Sequence, residues 1–159
     1  MPITSKKFKT VLGCFATGVT IVTTSLNGRI HGLTVNAFTS VSLTPPLVLI
    51  CIDTKAESYK LIKQSKIFTV NILTDKQKNL SQKFADPKTK ENRFDDDLWK
   101  YRTSGSPVLI NALAFIDCKV DSVFLSGDHH IFVGRVIKLG LNKNSKPLIY
   151  YRGKYSVSD

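Results

Sequence analysis

The hydrophobic pattern changes period along this chain, and the change divides it into helix and strand. Phe8, Val11, Leu12 and Phe15 recur at i, i+3, i+4 and i+7, the spacing of one helical face, with Thr4 or Ser5 placed to cap it. Gly13 and Gly18 limit its extension. From Gly18 to Leu26 the residues become β-branched, and Asn27–Gly28 predicts a two-residue hairpin whose return strand runs from Ile30 to about Val35. Thr39 to Leu43 predicts a short extended piece stopped by Pro45–Pro46, and Leu47 to Ile52 a buried strand. Ala56 to Ile62 has helical composition, Lys66 to Leu73 reads as a strand, and Asp75 is placed to cap a helix carrying Leu80 and Phe84.

The segment from Asp86 to Tyr101 is polar, contains Pro87 and the acid run Asp95–Asp96–Asp97, and reads as a surface loop long enough to serve as a lid or a partner-binding segment. In Ala114 to Phe124 the even positions are mostly apolar, while Asp117, Lys119 and Asp121 point the other way, the pattern of a half-buried strand. A turn at Ser126–His129 leads to a return strand over Ile131 to Leu139, and Leu148 to Tyr151 forms a last strand. Many hairpin-linked strands with two or three short helices predict a mainly β fold, a small antiparallel barrel with appended helices.

The length of 159 residues suits one core, so residues 1–159 are expected to form a single domain. At 42% hydrophobic and 22% charged the chain is ordinary for a globular protein. Its longest apolar run, Leu47 to Ile52, is far short of the roughly 20 residues that cross a bilayer. MPITSKKFKT lacks the apolar stretch and cleavage site of a secretory signal, which predicts a cytoplasmic protein with no membrane association. Cys14, Cys51 and Cys118 lie far apart among apolar neighbours, so they read as core residues and not as a disulfide framework. With His31, His129 and His130 they match no familiar zinc spacing, and no metal is expected. The net charge of +11 comes mainly from dispersed Lys, which suits a solvated surface that attracts anionic substrates. Nucleic-acid binding would call for clustered Arg and an aromatic stripe on one sheet face, and neither is present.

No GxGxxG, P-loop, HExxH or GxSxG motif occurs. Three hydroxyl- and glycine-rich segments stand out instead. Ala16 to Thr20 sits at a helix-to-strand junction. Gly32 to Ser40 sets small polar side chains beside Phe38, a surface suited to a flat heteroaromatic ring with polar edges. Asp53 to Ser58 carries a strand into a helix start, where free N–H groups and Thr54, Lys55 and Ser58 offer donors to a phosphate. Each also reads as plain structure: a β-forming Thr, a self-bonded Asn, a helix cap. Gly127–Asp128–His129 is a hairpin turn that either leaves His129 idle or presents its imidazole at the barrel rim.

Taken in order, these segments resemble the flavin reductase family with an FMN-binding split barrel. Phe15-Ala-Thr-Gly-Val-Thr-Ile-Val-Thr-Thr24 looks like the family opening, and Gly32 to Val48 fills almost every position of its G-L-T-x-N-[AS]-F-T-S-[VL]-S-L-x-P-P-L-V segment. Asp53–Ser58, Val70–Asn71, Ser81 with Phe84–Ala85, Gly127–Asp128–His129, Gly134 and Leu148 with Tyr151–Arg152–Gly153 follow in order, so the resemblance runs from about Phe8 to Tyr155. It implies a homodimeric split barrel with flavin near the subunit interface, and hydride transfer from NADH or NADPH to FMN or FAD, with reduced flavin passed to a separate oxygenase component. It further implies that Thr34, Val35, Asn36, Ala37 and Ser40 line the isoalloxazine and ribityl region, with Cys51 and Asp53 alongside. Thr54, Lys55 and Ser58 then lie near the phosphate, Phe84 packs on the nucleotide, and His129 contacts the nicotinamide cofactor. No side chain is required as an acid or base. Cys14 stands where a polar or basic residue is expected. The alternatives are a non-catalytic flavin carrier on the same barrel, and an oxidase acting on a pyridoxine phosphate, against which the motif order argues.

Overall fold

The computed structural model describes residues 2–157. Helix α1 (Ser5–Leu12) forms where the apolar spacing predicts it, and the Thr4 hydroxyl accepts from the Lys7 N–H at 3.2 Å. Its apolar stripe finds no cover within the chain: Phe8, Val11 and Leu12 stay more than half exposed, and Phe15 just beyond is 77% exposed. A two-residue strand β1 (Thr17–Gly18) precedes β2 (Thr20–Leu26) and β3 (Arg29–Val35). Asn27 and Gly28 between them take φ of 51° and 79°, the positive pair a type I′ hairpin needs.

β4 (Phe38–Leu43) and β5 (Pro46–Asp53) form the next hairpin, followed by α2 (Glu57–Ser65) and β6 (Ile67–Ile72). Thr74, one residue before the expected cap, starts the next helical segment, and the Gln77 side-chain oxygen accepts from its N–H at 2.9 Å. A single 3-10 turn there leads into α3 (Lys78–Ala85). The rest is β: β7 (Trp99–Tyr101), β8 (Pro107–Leu109), β9 (Ala114–Ser126), β10 (His129–Leu141), β11 (Leu148–Tyr151) and β12 (Lys154–Val157).

Seven strands make one antiparallel sheet in the order β3-β2-β6-β9-β10-β5-β4, while β1-β11-β12 and β7-β8 form two small sheets. Val35 near one edge of the large sheet and Ile50 near the other bury in the same cluster, with Val22, Phe68, Val70, Cys118, Phe132 and Ile62 of α2. A sheet whose two edges share one interior is rolled, which is the barrel the strand pattern predicts. On the opposite face of β2, Ile21 joins Leu73, Phe84, Leu109 and Leu148 in a second core. The chain is mainly β, as expected.

Two expectations need correction here. The 86–101 segment is not a free loop: Phe94, Leu98 and Trp99 pack on the second core, and the buried Arg93 guanidinium donates to the Gly32 and Asp86 carbonyls at 2.8 Å. The alternation of β9 also fails past its middle. Val133 pairs with Ser122 but Gly134 with Val120, so Asp121 is an extra residue, and beyond it Val123 turns to the core while Phe124 is 55% exposed. A one-residue bulge exchanges the faces of every residue that follows.

Candidate functional site

Register places the sequence motifs on one surface. On β5, Val48, Ile50 and Ile52 are buried in the barrel, so Leu49, Cys51 and Asp53 lie on its outer face. β10 pairs with β5 so that Ile131 opposes Cys51 and His129 opposes Asp53, and opposed residues project to the same side. β4 adds Thr39 opposite Leu49. The end of α1, β1 and the β11–β12 hairpin stand against this face and leave a groove of about 760 Å³. Asn36, Ala37, Phe38, Thr39, Leu49 and Cys51 line one wall; Lys9, Leu12, Phe15, Thr17 and Tyr150 contribute to the other. Asn36 and Tyr150 also border a smaller cavity of about 200 Å³ with Thr34, Ala85 and Tyr155.

The groove is apolar with few polar groups, the composition of a small-molecule site. Asn36 and Ala37 fall between the end of the β2–β3 ladder at Val35 and the start of the β4–β5 ladder at Phe38, so strand pairing does not consume their N–H groups. The Thr17 Oγ1 is buried without a hydrogen-bond partner. Tyr150 is held in place by an edge-on contact with Tyr155 at 5.4 Å, and the Tyr155 hydroxyl bonds the Ser81 Oγ at 2.9 Å. Burial raises the Cys51 thiol above its ordinary pKa, so Cys51 serves the groove as a neutral wall.

One step of two residues further along the same face, roughly 7 Å, Asp53 and His129 form a corner with the neighbouring turns. The Thr54 N–H donates to the Asp128 carbonyl at 3.0 Å, and the Asp128 carboxylate meets the His129 Nδ1 at 2.7 Å. That contact holds the Asp128 carboxyl below its usual pKa. Two N–H groups of the turn before α2 are already used, while the N-cap residue Ala56 gives the helix start itself no side-chain cap. Lys55 N–H donates to Asp53 Oδ1 at 2.8 Å, and Ala56 N–H to the Asp53 carbonyl at 3.0 Å.

Thus Thr34, Asn36, Ala37 and Cys51 border the cavities, while Asp53, Thr54, Lys55 and His129 gather at the adjoining corner. Four residues are placed elsewhere. The Val35 side chain is buried in the barrel core. Ser40 opposes the inward-facing Val48, so strand alternation turns it from the groove face. Ser58 is 1% exposed and bonds the His31 Nδ1 at 2.9 Å. Phe84 is 1% exposed, sealed beneath β3 against Phe94 and Trp99, and has no face free for a nucleotide. Conversely, Lys9, Thr17 and Tyr150 line the groove without having been singled out as binding residues. Thr17 belongs to the hydroxyl-rich Ala16–Thr20 segment, but Lys9 was hidden among many lysines.

The Ser58–His31 pair anchors the first turn of α2 to β3. Glu57 beside it forms ion pairs with Arg29 and Lys90, and its Oε2 lies 3.8 Å from the His31 Nε2. Burial, then the charges of Arg93, Lys90 and Arg29, lower the His31 pKa from 6.5 to about 4. The unfolded chain therefore takes up this proton first as pH falls. Stability is expected to be whole above pH 6.5, to decline below it, and to have lost about 3 kcal/mol from this group once pH passes 4. Urea midpoints measured from pH 7 to pH 4 check this, and His31→Asn is expected to flatten the decline.

Residues 12–158 match the flavin reductase like domain model. The chain belongs to this family. The reductase subunit of a flavin-dependent monooxygenase from Rhodococcus jostii is 40% identical over 156 residues, 97% of this chain and 78% of the relative. The native-state structure of the flavin reductase PheA2 superposes with a TM-score of 0.90 at 42% identity, covering 99% of each chain. A structure of the Streptomyces globisporus NADH:FAD oxidoreductase in complex with NAD and FAD fragments gives a TM-score of 0.90 at 32% identity, covering 98% of this flavin reductase family member and 95% of that chain.

Proposed function

We propose that this family member is an NAD(P)H-dependent flavin reductase whose flavin occupies the groove over β4 and β5. The observation that carries this reading is the outer sheet face, where residues from Asn36 to Thr39, Leu49 and Cys51 line one apolar groove that adjoins the Asp53–His129 corner. Leu49 and Cys51 supply apolar contact for a flat ring. The N–H groups of Asn36 and Ala37 and the unpartnered Thr17 hydroxyl supply hydrogen bonds for its polar edge. Bound flavin provides the hydride acceptor and NADH or NADPH the donor. The chain's own task is to orient the two rings and keep water from between them, and no side chain has to move a proton.

His129 stands at the corner adjoining the groove, half-exposed and steadied by Asp128, and its imidazole is the group we assign to the nicotinamide cofactor. His129→Ala is expected to raise the apparent KM for NADH several-fold, by about 1 kcal/mol of lost binding, and to leave the flavin Kd unchanged. Steady-state kinetics at saturating flavin, beside a flavin titration, read both constants; unaltered NADH kinetics would remove His129 from the assignment.

The whole reading is tested by mixing the protein with FMN or FAD and NADH or NADPH in air and following the loss of nicotinamide absorbance. Rapid turnover that requires added flavin is expected. Tight flavin binding without turnover would make the protein a carrier. The proposal includes a homodimer, supported by the uncovered stripe of Phe8, Val11, Leu12 and Phe15 beside the groove. It also includes a separate oxygenase that receives reduced flavin, supported by the name of the Rhodococcus relative. A cytoplasmic location, where both nicotinamide donors are available, completes it; no helix among the described residues is long and apolar enough to cross a membrane.

A further inference from the structure

Helix α2 begins at Glu57, just past the corner that adjoins the groove, and its first backbone groups are open. Ala56 supplies no side-chain cap, and neither the Glu57 nor the Ser58 N–H meets an acceptor among the described residues. Both side chains that could have closed this helix start are drawn away from it. The Ser58 hydroxyl is buried against His31, and the Glu57 carboxylate pairs with Arg29 and Lys90. Open N–H groups at a helix start favour an anion, whereas a free carboxylate in the same turn opposes one. Glu57 is the acidic residue of that turn.

Segments distant in sequence build this arrangement. Arg29 opens β3 directly after the Asn27–Gly28 turn. Lys90 comes from the short 3-10 segment Pro87–Asn92, which Arg93 fixes by donating to the Gly32 and Asp86 carbonyls at 2.8 Å. His31 closes the cluster from beneath: it is 9% exposed, and its Nε2, without a hydrogen-bond partner, faces the Glu57 Oε2 at 3.8 Å. With its pKa lowered to about 4, His31 is neutral near pH 7 and leaves the charge balance to the others. Two cations on one carboxylate make the cluster net positive. Without them the Glu57 carboxylate would reverse that sign beside the open N–H groups.

We propose that Arg29 and Lys90 are positioning residues for nucleotide binding: by holding and neutralising the Glu57 carboxylate, they keep the start of α2 able to receive a phosphate. Neither cation has to touch the nucleotide. The inference rests on the reading of the groove as the flavin site, with the nucleotide's phosphate reaching the adjoining corner. It gives the 86–93 segment a part in binding that acts through Glu57, although that segment lines neither the groove nor the smaller cavity.

Dissociation constants for FMN and for riboflavin, which lacks the phosphate, are measured by flavin fluorescence in four proteins. These are the wild type, Lys90→Met, the double variant Arg29→Met with Lys90→Met, and that double variant with Glu57→Gln added. The double variant is expected to bind FMN about tenfold more weakly and riboflavin within about twofold of wild type, with Lys90→Met alone weakening FMN about threefold. Adding Glu57→Gln is expected to restore most of the FMN affinity. Unchanged FMN binding in the double variant, or equal weakening of both flavins, overturns the proposal. So does a loss that Glu57→Gln leaves in place, since the cations would then act on the phosphate themselves. The Arg29 and Lys90 side chains are 65% and 49% exposed, so their replacement is expected to spare the fold, and a thermal melt of each variant checks this. An Ala37→Trp variant tests the underlying reading separately: if riboflavin still binds with the groove filled, the groove is not the flavin site, whatever Glu57 does.

Discussion

A tryptophan in place of Ala37 is expected to lower kcat/KM for flavin by about 100-fold or more, equivalent to about 2.7 kcal/mol, without unfolding the protein. Ala37 is exposed at the junction of β3 and β4, and only its backbone makes a structural bond, its carbonyl accepting from the Cys51 N–H at 3.0 Å. Its side chain borders the groove with Asn36, Thr39 and Cys51. An indole there takes up space a flavin ring needs, while the bond to Cys51 remains. Exposed substitutions of this type usually change stability by no more than about 0.5 kcal/mol, so the melting temperature is expected to hold. Steady-state kinetics with varied flavin, beside a thermal melt, distinguish a filled site from a damaged fold. Normal turnover in the folded variant would place the flavin elsewhere.

Most of the barrel was legible because its strands obey local rules. Asn27–Gly28 fixed one hairpin through its positive φ pair, and Pro45–Pro46 marked the turn into β5. Individual site residues were less legible, because facing is a property of register. Ser40 belongs to the same motif as Asn36 and Ala37, yet strand alternation turns it from the groove. Phe84 and Ser58 follow the family pattern in sequence, but side-chain packing from distant segments seals them: Phe94 and Trp99 over one, His31 over the other. Neither contact has a local signal: Phe94 and Trp99 lie at least ten residues from Phe84 in a segment whose polar composition resembles a loop, and His31 lies on β3, 27 residues from Ser58. Lys9 was illegible for the opposite reason. Its chemistry is common in this chain, and only the fold of α1 against the 152–153 turn distinguishes it from the other lysines.

Asp117 carries the largest expected stability effect of any single side chain considered, and it shows the same dependence on distant packing. The period-2 pattern of β9 assigns it to the face away from the core, which is correct, but the Ser104–Leu109 segment folds over that face and buries it completely. Its Oδ1 accepts from the Thr69 hydroxyl at 2.8 Å and from the Ser104 hydroxyl, and its Oδ2 from the Ser104 N–H at 2.9 Å. Ser106 and Asn71 continue the network: the Ser106 hydroxyl donates to the Thr23 carbonyl at 2.9 Å, and the Asn71 side-chain oxygen accepts from the Leu109 N–H at 2.8 Å. Asp117→Ala leaves three donors facing a cavity in place of their acceptor, each costing roughly 1–3 kcal/mol when buried unpaired. Some relaxation is expected, giving a net loss of about 4 kcal/mol. Asp117→Asn preserves the shape and one acceptor but turns an N–H₂ toward a donor, for a loss of about 2 kcal/mol. Urea titration of both variants against wild type measures the order. None of these residues lines the groove, so the fraction that remains folded at low temperature is expected to bind flavin with the wild-type constant. Weakened flavin binding in fully folded Asp117→Asn would contradict a purely structural role.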